Sequence, residues 1–136
     1  MISVEKLKET TNDFFKEFCN IDGPTWSEKW KFEGELPHNT KKGCYAHLKG
    51  NEVVYVGLAI GNSFDGSGIG ARVSKYWKKS ENYSVNKQVY LPTVKDVDSI
   101  ITLPFEPDNF YLAAALEVYL IQKLKPIKNK IHSIKK

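Results

Sequence analysis

The stretch GCYAHLKGNEVVYVGL, residues 43–58, decides how this 136-residue chain is read. Two runs, 43–49 and 52–58, flank Gly50-Asn51 and read as a β-hairpin. Each arm carries a tyrosine, Tyr45 and Tyr55. A regular two-residue turn would set Tyr45 opposite Val56, and the two rings would leave the sheet on opposite sides. If both serve one site, a three-residue or five-residue loop, or a bulge, is expected near Lys49–Glu52.

Downstream of the hairpin, Gly61, Gly66, Gly68 and Gly70 form a glycine-rich loop that leads into a helix at about 70–79. Val73 and Trp77 share one face of that helix, and Arg72 and Tyr76 a neighbouring one. A third strand is expected at about 98–103, then a helix from about Pro107 to Leu124, with Asp108 as N-cap and Pro126 as its stop. Upstream, residues 3–18 read as an amphipathic helix carrying Leu7, Phe14, Phe15 and Phe18, broken between Asn20 and Pro24. Residues 25–36 admit two readings. Thr25 with Glu28 resembles a capping box, with Trp26 and Trp30 on one helical face. Trp26, Trp30, Phe32 and Leu36 also fit a period of two. The order hairpin, helix, strand, helix indicates an α+β fold, one small antiparallel sheet flanked by helices.

The length suits one domain, and 41% hydrophobic with 26% charged residues is ordinary for a globular chain. No apolar run approaches the roughly 20 residues of a membrane span and no signal-peptide core is present, so a cytoplasmic protein is expected. Cys19 and Cys44 lack the partner spacing of a zinc site or disulfide framework and read as buried free thiols. The net charge of +4 is unevenly spread. Residues 1–35 hold eight acids against five lysines, and residues 36–136 hold fifteen basic residues against eight acids. A basic C-terminal half suits phosphate contacts through counterion release, although lysine-rich ends are usually just solvated. The chain uses lysine nineteen times and arginine once, at Arg72. That guanidinium offers a planar fork of donors matched to phosphate or carboxylate oxygens.

Glu117 stands on the apolar side of the last helix, among Ala113, Ala114, Leu120, Ile121 and Leu124. Gln122 and Lys123 lie roughly 140° and 240° around the helix from it. An ionised carboxylate there needs a cation. The options are an ion pair with Arg72 or a lysine, or a hard divalent metal that prefers carboxylate oxygen.

Gly43-Cys44-Tyr45, nine residues, and then Tyr55-Val56-Gly57 resemble the paired strand motif of the GIY-YIG nuclease family. The resemblance continues in order through Arg72 with Tyr76 four residues later, Glu117, and a closing segment Lys125 to Asn129. It covers about residues 43–129, and it implies a three-stranded antiparallel sheet and hydrolysis of DNA phosphodiesters. The roles it implies are specific. Tyr45 would be the general base or the partner that orients the attacking water, and Tyr55 would support it and contact the phosphate. Arg72, with Tyr76 beside it, would hold the phosphate, and Glu117 would bind one Mg²⁺ or Mn²⁺ at the leaving oxygen. Asn129 would brace the site through hydrogen bonds.

There are departures from the family pattern. Cys44 and Val56 replace isoleucines, and Leu58 replaces a common lysine for which His47, Lys49 or Lys75 are candidate substitutes. The competing class is a nucleic-acid-binding module or inhibitor that keeps the fold without catalysis. A third reading is a structural protein with an internal Arg72–Glu117 pair. Residues 41–136 correspond to the nuclease-like domain and residues 1–40 to an N-terminal extension packed on the core. That extension is acidic on balance and suits core packing, a homodimer contact or a protein partner better than DNA.

Overall fold

The computed structural model describes residues 1–61, 68–84 and 86–129. In chain order its elements are α1 (Val4–Phe14), a π-helical turn (Phe15–Cys19), β1 (Lys42–Lys49), β2 (Glu52–Ala59), α2 (Ile69–Val73), a 3₁₀ turn (Ser74–Tyr76), β3 (Trp77–Lys79), β4 (Tyr90–Pro92), β5 (Ser99–Phe105) and α3 (Tyr111–Leu124). The main sheet is antiparallel in the order β2-β1-β5, and β3 and β4 form a separate two-stranded ribbon. The architecture is α+β, a three-stranded antiparallel sheet with helices.

The hairpin closes through Lys49 opposite Glu52, leaving the two-residue turn Gly50-Asn51, with Gly50 at φ +59°. Tyr45 pairs with Gly57 and His47 with Tyr55, but Leu48 pairs with Val53. Val54 is therefore the extra residue of a bulge. The bulge lies just beyond the expected stretch 49–52, and it has the expected effect. It shifts the register of β2 by one residue, so Tyr45 and Tyr55 leave the sheet on the same side.

Residues 43–48 of the central strand β1 are all buried, because both faces of the sheet are covered. On one face Cys44, Ala46, Leu48, Val56 and Leu103 pack against Val4, Leu7 and Phe14 of α1 and Leu116 and Leu120 of α3. Each large apolar side chain buried here stabilises the fold by about 1.5–3 kcal/mol. On the other face Tyr45, Val54 and Ile100 meet Trp30, Phe32, Leu36, Ile69 and Val73. Residues 1–40 thus supply core side chains to both faces.

Several local expectations are corrected. The first α-helix ends at Phe14 and passes into the π-helical turn, after which Asn20 takes a left-handed conformation (φ 52°). Phe18 is left exposed. Residues 25–36 are not helical; they run irregularly, with isolated bridges at Trp30 and Glu33 and left-handed backbone at Phe32 (φ 65°) and Gly34 (φ 74°). Trp30 exchanges backbone hydrogen bonds with Ile100 (2.8 and 3.0 Å), and Trp26, Trp30, Phe32 and Leu36 are all buried, as a period of two requires. The helix expected at 70–79 stops at Val73, and Trp77 begins a strand paired with Pro92. Its indole packs at a tilt against Trp30 (4.8 Å) and Tyr90 (5.5 Å), contacts that local helix propensity does not anticipate. The last helix starts at Tyr111, not Pro107, and Asp108 does not cap it. Residues 107–110 form a turn in which the Asn109 side chain accepts from the Glu106 N–H (3.1 Å). Cys44 is buried, its thiol on the Ala113 carbonyl oxygen (3.4 Å), whereas Cys19 is only half-buried. Among the described residues no helix is long and apolar enough to cross a membrane.

Candidate active site

The bulge at Val54 and the shortness of α2 bring four of the six candidate residues together. From the sheet come Tyr45 and Tyr55, with ring centroids 6.1 Å apart. From the other side comes α2, anchored by buried Ile69 and Val73 four residues apart. This anchoring leaves Arg72 exposed beside Val73. The 3₁₀ turn then lays Tyr76 over the sheet, its hydroxyl 3.1 Å from that of Tyr45.

Gly57 makes this arrangement possible. A Cβ on Gly57 would lie 2.2 Å from the Tyr45 Cζ atom, so the Tyr45 ring occupies space that any other residue would fill. Gly68 and Gly70 serve a similar purpose at the start of α2, where a Cβ would meet the backbone at Asn39 to Lys41 at 2.8–3.0 Å. The amides of Ile69 and Gly70 donate to the Lys41 and Asn39 carbonyls (2.7 and 2.8 Å). They are therefore committed to the fold and do not form a phosphate cradle. Gly66 lies outside the described residues.

His47 forms the floor of the site. It is 2% exposed, stacks on Tyr55 (5.0 Å) and meets the Tyr76 ring edge-on (4.3 Å). Its Nε2 is buried without a hydrogen-bond partner among the described residues. Burial, helped by the charges of Lys128 and Lys75, holds its pKa down to about 4, so the imidazole is neutral at neutral pH. It is no substitute for a missing cation. Lys49 pairs with Asp96 (3.8 Å), while Lys75 is exposed with its ammonium over the Tyr76 ring (5.3 Å).

Burial pushes the Tyr45 phenol far above its ordinary value. The hydrogen bond with Tyr76 and the proximity of Tyr55 and Tyr76 push the same way, and the hydrogen bond with Arg72 opposes them. Tyr55 is raised too, first by burial and then by Tyr76, with Glu117 adding to the effect and a hydrogen bond with Tyr45 opposing it. For Arg72, partial burial acts to lower the pKa, but its hydrogen bond with Tyr45 and the nearby tyrosines outweigh it and raise the value. The cluster is thus three tyrosines under one fixed positive charge, with the phenols of Tyr45 and Tyr55 held protonated. Tyr45 is fully buried, whereas Tyr55 and Tyr76 are half-exposed.

The remaining two candidates come from other elements, with Glu117 within electrostatic reach of Tyr55. Glu117 comes from α3, which covers the opposite face of the sheet, and is only half-buried although buried Ala113, Leu116, Leu120 and Ile121 surround it on the helix. The packing face is open where the carboxylate stands, so Glu117 is not the enclosed charge that periodicity alone suggests. Its charge raises both Cys44, after burial, and Tyr55. Among the described residues no three His, Cys, Asp or Glu side chains gather around a metal position. Asn129 is held against β2. Its side chain accepts from the Val56 N–H (2.8 Å) and donates to the Val56 carbonyl (2.9 Å), bracing the strand that carries Tyr55.

Sequence reasoning singled out Tyr45, Tyr55, Arg72 and Tyr76 but gave no role to Gly57. Its importance emerges only once the bulge is placed and Tyr45 is known to lie across it. Comparisons of the chain with protein-family models, with curated proteins and with solved structures return no match.

Proposed function

We propose that this protein is a metal-dependent endonuclease of the GIY-YIG type, hydrolysing phosphodiester bonds in DNA. The observation that carries the reading is the convergence of Tyr45, Tyr55 and Tyr76 beneath Arg72, achieved by a bulge that turns both hairpin tyrosines to one face. Purely structural tyrosines need neither that register nor the only arginine of the chain beside them.

Arg72, exposed and always charged, holds the scissile phosphate and stabilises the negative charge that builds on its oxygens. Half-exposed Tyr55 and Tyr76 meet the phosphate and the attacking water. Tyr45 is protonated and fully buried, so it orients the water through its hydrogen-bonded neighbours and does not act as a standing phenolate. Water attacks phosphorus directly and gives its proton to solvent, the bond to the leaving oxygen breaks and that oxygen takes a proton from solvent, with no covalent intermediate. Glu117 would hold a Mg²⁺ or Mn²⁺ ion. A single hard oxygen donor, half-open to solvent, fits an ion that keeps most of its waters. Such an ion, when bound, supplies positive charge to the leaving oxygen.

The test is supercoiled plasmid incubated with the protein in Mg²⁺ and in EDTA, beside Glu117→Gln. The wild-type protein is expected to nick only with metal. Glu117→Gln is expected to bind DNA, to lose nicking and to melt no lower than wild type. Nicking retained in the variant with a marked loss of stability would remove Glu117 from the metal site. Burial of Tyr45 and the loss of a lysine at Leu58 favour a second reading, a catalytically inactive nucleic-acid-binding module or inhibitor. Binding of plasmid without cleavage in either metal would establish that alternative.

A further inference from the structure

The ribbon of β3 and β4 runs directly on from the turn that carries Tyr76, and its charge is unusual for this chain. Residues 74–95 hold five lysines (Lys75, Lys78, Lys79, Lys87, Lys95) against one acid, Glu81, a balance of 5 − 1 = +4 that equals the formal charge of the whole protein. All five lysines are exposed. The ion pairs among the described residues, Lys6–Glu9, Lys41–Glu106 and Lys49–Asp96, engage none of them. These five like charges, Lys75 in the 3₁₀ turn, Lys78 and Lys79 on β3, and Lys87 and Lys95 on either side of β4, repel one another, and a polyanion relieves that repulsion.

We infer that the β3–β4 ribbon is a docking surface for the phosphate backbone of duplex DNA, leading the helix into the tyrosine site. The inference rests on the proposed nucleic-acid function of that site. The ribbon is fixed to it. The Thr93 amide donates to the Tyr76 carbonyl (2.9 Å), the Lys128 ammonium donates to the Lys95 carbonyl, and Lys75 and Lys128 both act electrostatically on His47 in the site floor. On its other edge the Tyr90 amide donates to the Phe32 carbonyl (2.9 Å) and the Gly34 amide to the Gln88 carbonyl (2.7 Å), making a rigid platform. A strand rises about 3.3 Å per residue, so Lys79 lies roughly 10 Å beyond Tyr76.

The aromatic residues decide between duplex and single strand. Single-strand binders offer open rings on which bases stack. Here Trp77 packs at a tilt against Trp30 (4.8 Å) and Tyr90 (5.5 Å), and Tyr90 against Tyr83 (5.7 Å), with the Lys79 ammonium over Tyr83 (4.5 Å). The half-buried rings pack against one another, and the exposed lysines are the recognising groups.

The test measures binding of a 20-base-pair duplex and of the corresponding single strand, in EDTA, at several salt concentrations. Three proteins are compared: wild type, a ribbon variant with Lys75, Lys78, Lys79 and Lys87 changed to Gln, and a control with Lys6, Lys8, Lys16 and Lys123 changed to Gln. The last two have the same net charge. Each lost phosphate contact lowers the slope of log affinity against log salt by about 0.9. The ribbon variant is expected to lose at least about tenfold in duplex affinity and about two in slope, and the control less than half of either. Smaller losses in the ribbon variant, equal losses in the control, or wild-type preference for the single strand would each overturn the inference. Plasmid nicking in Mg²⁺, read separately, reports on the nuclease proposal. A ribbon-dependent binder that does not cut refutes only that proposal, and a nuclease indifferent to the ribbon changes refutes only this inference.

Discussion

His47 offers a sharp test of the electrostatics at the site, and its readout does not depend on any activity. The residue is 2% exposed and its pKa is held down to about 4, first by burial and then by Lys128 and Lys75. In the unfolded chain the imidazole returns to about 6.5. Between those values the unfolded state binds a proton that the folded state refuses, so stability rises with pH across the window and is lost as pH falls through it. The separation of about 2.5, at about 1.36 kcal/mol per pH unit, gives about 3 kcal/mol lost between pH 7 and pH 4. His47→Leu removes the titrating group and also the unpartnered Nε2, whose desolvation costs about 1–3 kcal/mol. Urea unfolding at pH 7 and pH 4 is the assay. At pH 7 the variant should match or exceed wild type, and on acidification it should lose about 3 kcal/mol less. Carboxylates that titrate in the same range are common to both proteins and cancel. Equal acid losses in the two proteins would refute the reasoning, because His47 would then be charged in the fold or exposed.

Other substitutions probe the geometry. Gly57→Ala puts a Cβ 2.2 Å from Tyr45 Cζ and forces the ring to move, so a loss of about 1–3 kcal/mol in thermal or urea unfolding is expected, with nicking abolished. Tyr45→Phe removes the 3.1 Å contact with Tyr76 at a cost of about 1 kcal/mol, and nicking should fall by roughly 10²–10⁴-fold. Turnover near wild type would make Tyr45 a packing residue only. Asn129→Ala removes both hydrogen bonds to Val56 and should cost about 1–3 kcal/mol, with faster amide exchange confined to β2.

The parts of the fold legible in the sequence are those whose signals are local. The turn residues Gly50-Asn51, the apolar run of β5 and the period of α3 each stand out within a short window. The tyrosine pair is legible for the same reason, since the parity of Tyr45 and Tyr55 about a two-residue turn already demands an irregularity. What escapes is decided by partners far along the chain. Trp77 leaves the helical pattern because Trp30 and Tyr90 wait for its ring. Residues 25–36 are not helical because Trp30 finds backbone partners at Ile100, some seventy positions away. The half-exposure of Glu117 is invisible on a helical wheel, which gives direction but not where the opposing layer ends. Gly57 carries no side chain, so its role appears only through what lies across from it.

Strand β2 lies at the outside of the sheet, and its outer backbone groups would ordinarily accept a further strand from any neighbouring molecule. Here the Lys128 amide takes the Val54 carbonyl (2.9 Å), and one asparagine side chain takes both polar groups of Val56. A side-chain amide presents a donor and an acceptor in the same spacing as a peptide, so Asn129 imitates a single residue of an adjoining strand without extending it. The sheet is thereby ended chemically. Chains that lose this plug would expose a Val-rich ribbon edge, and self-association at high concentration is the cost that the closing segment averts.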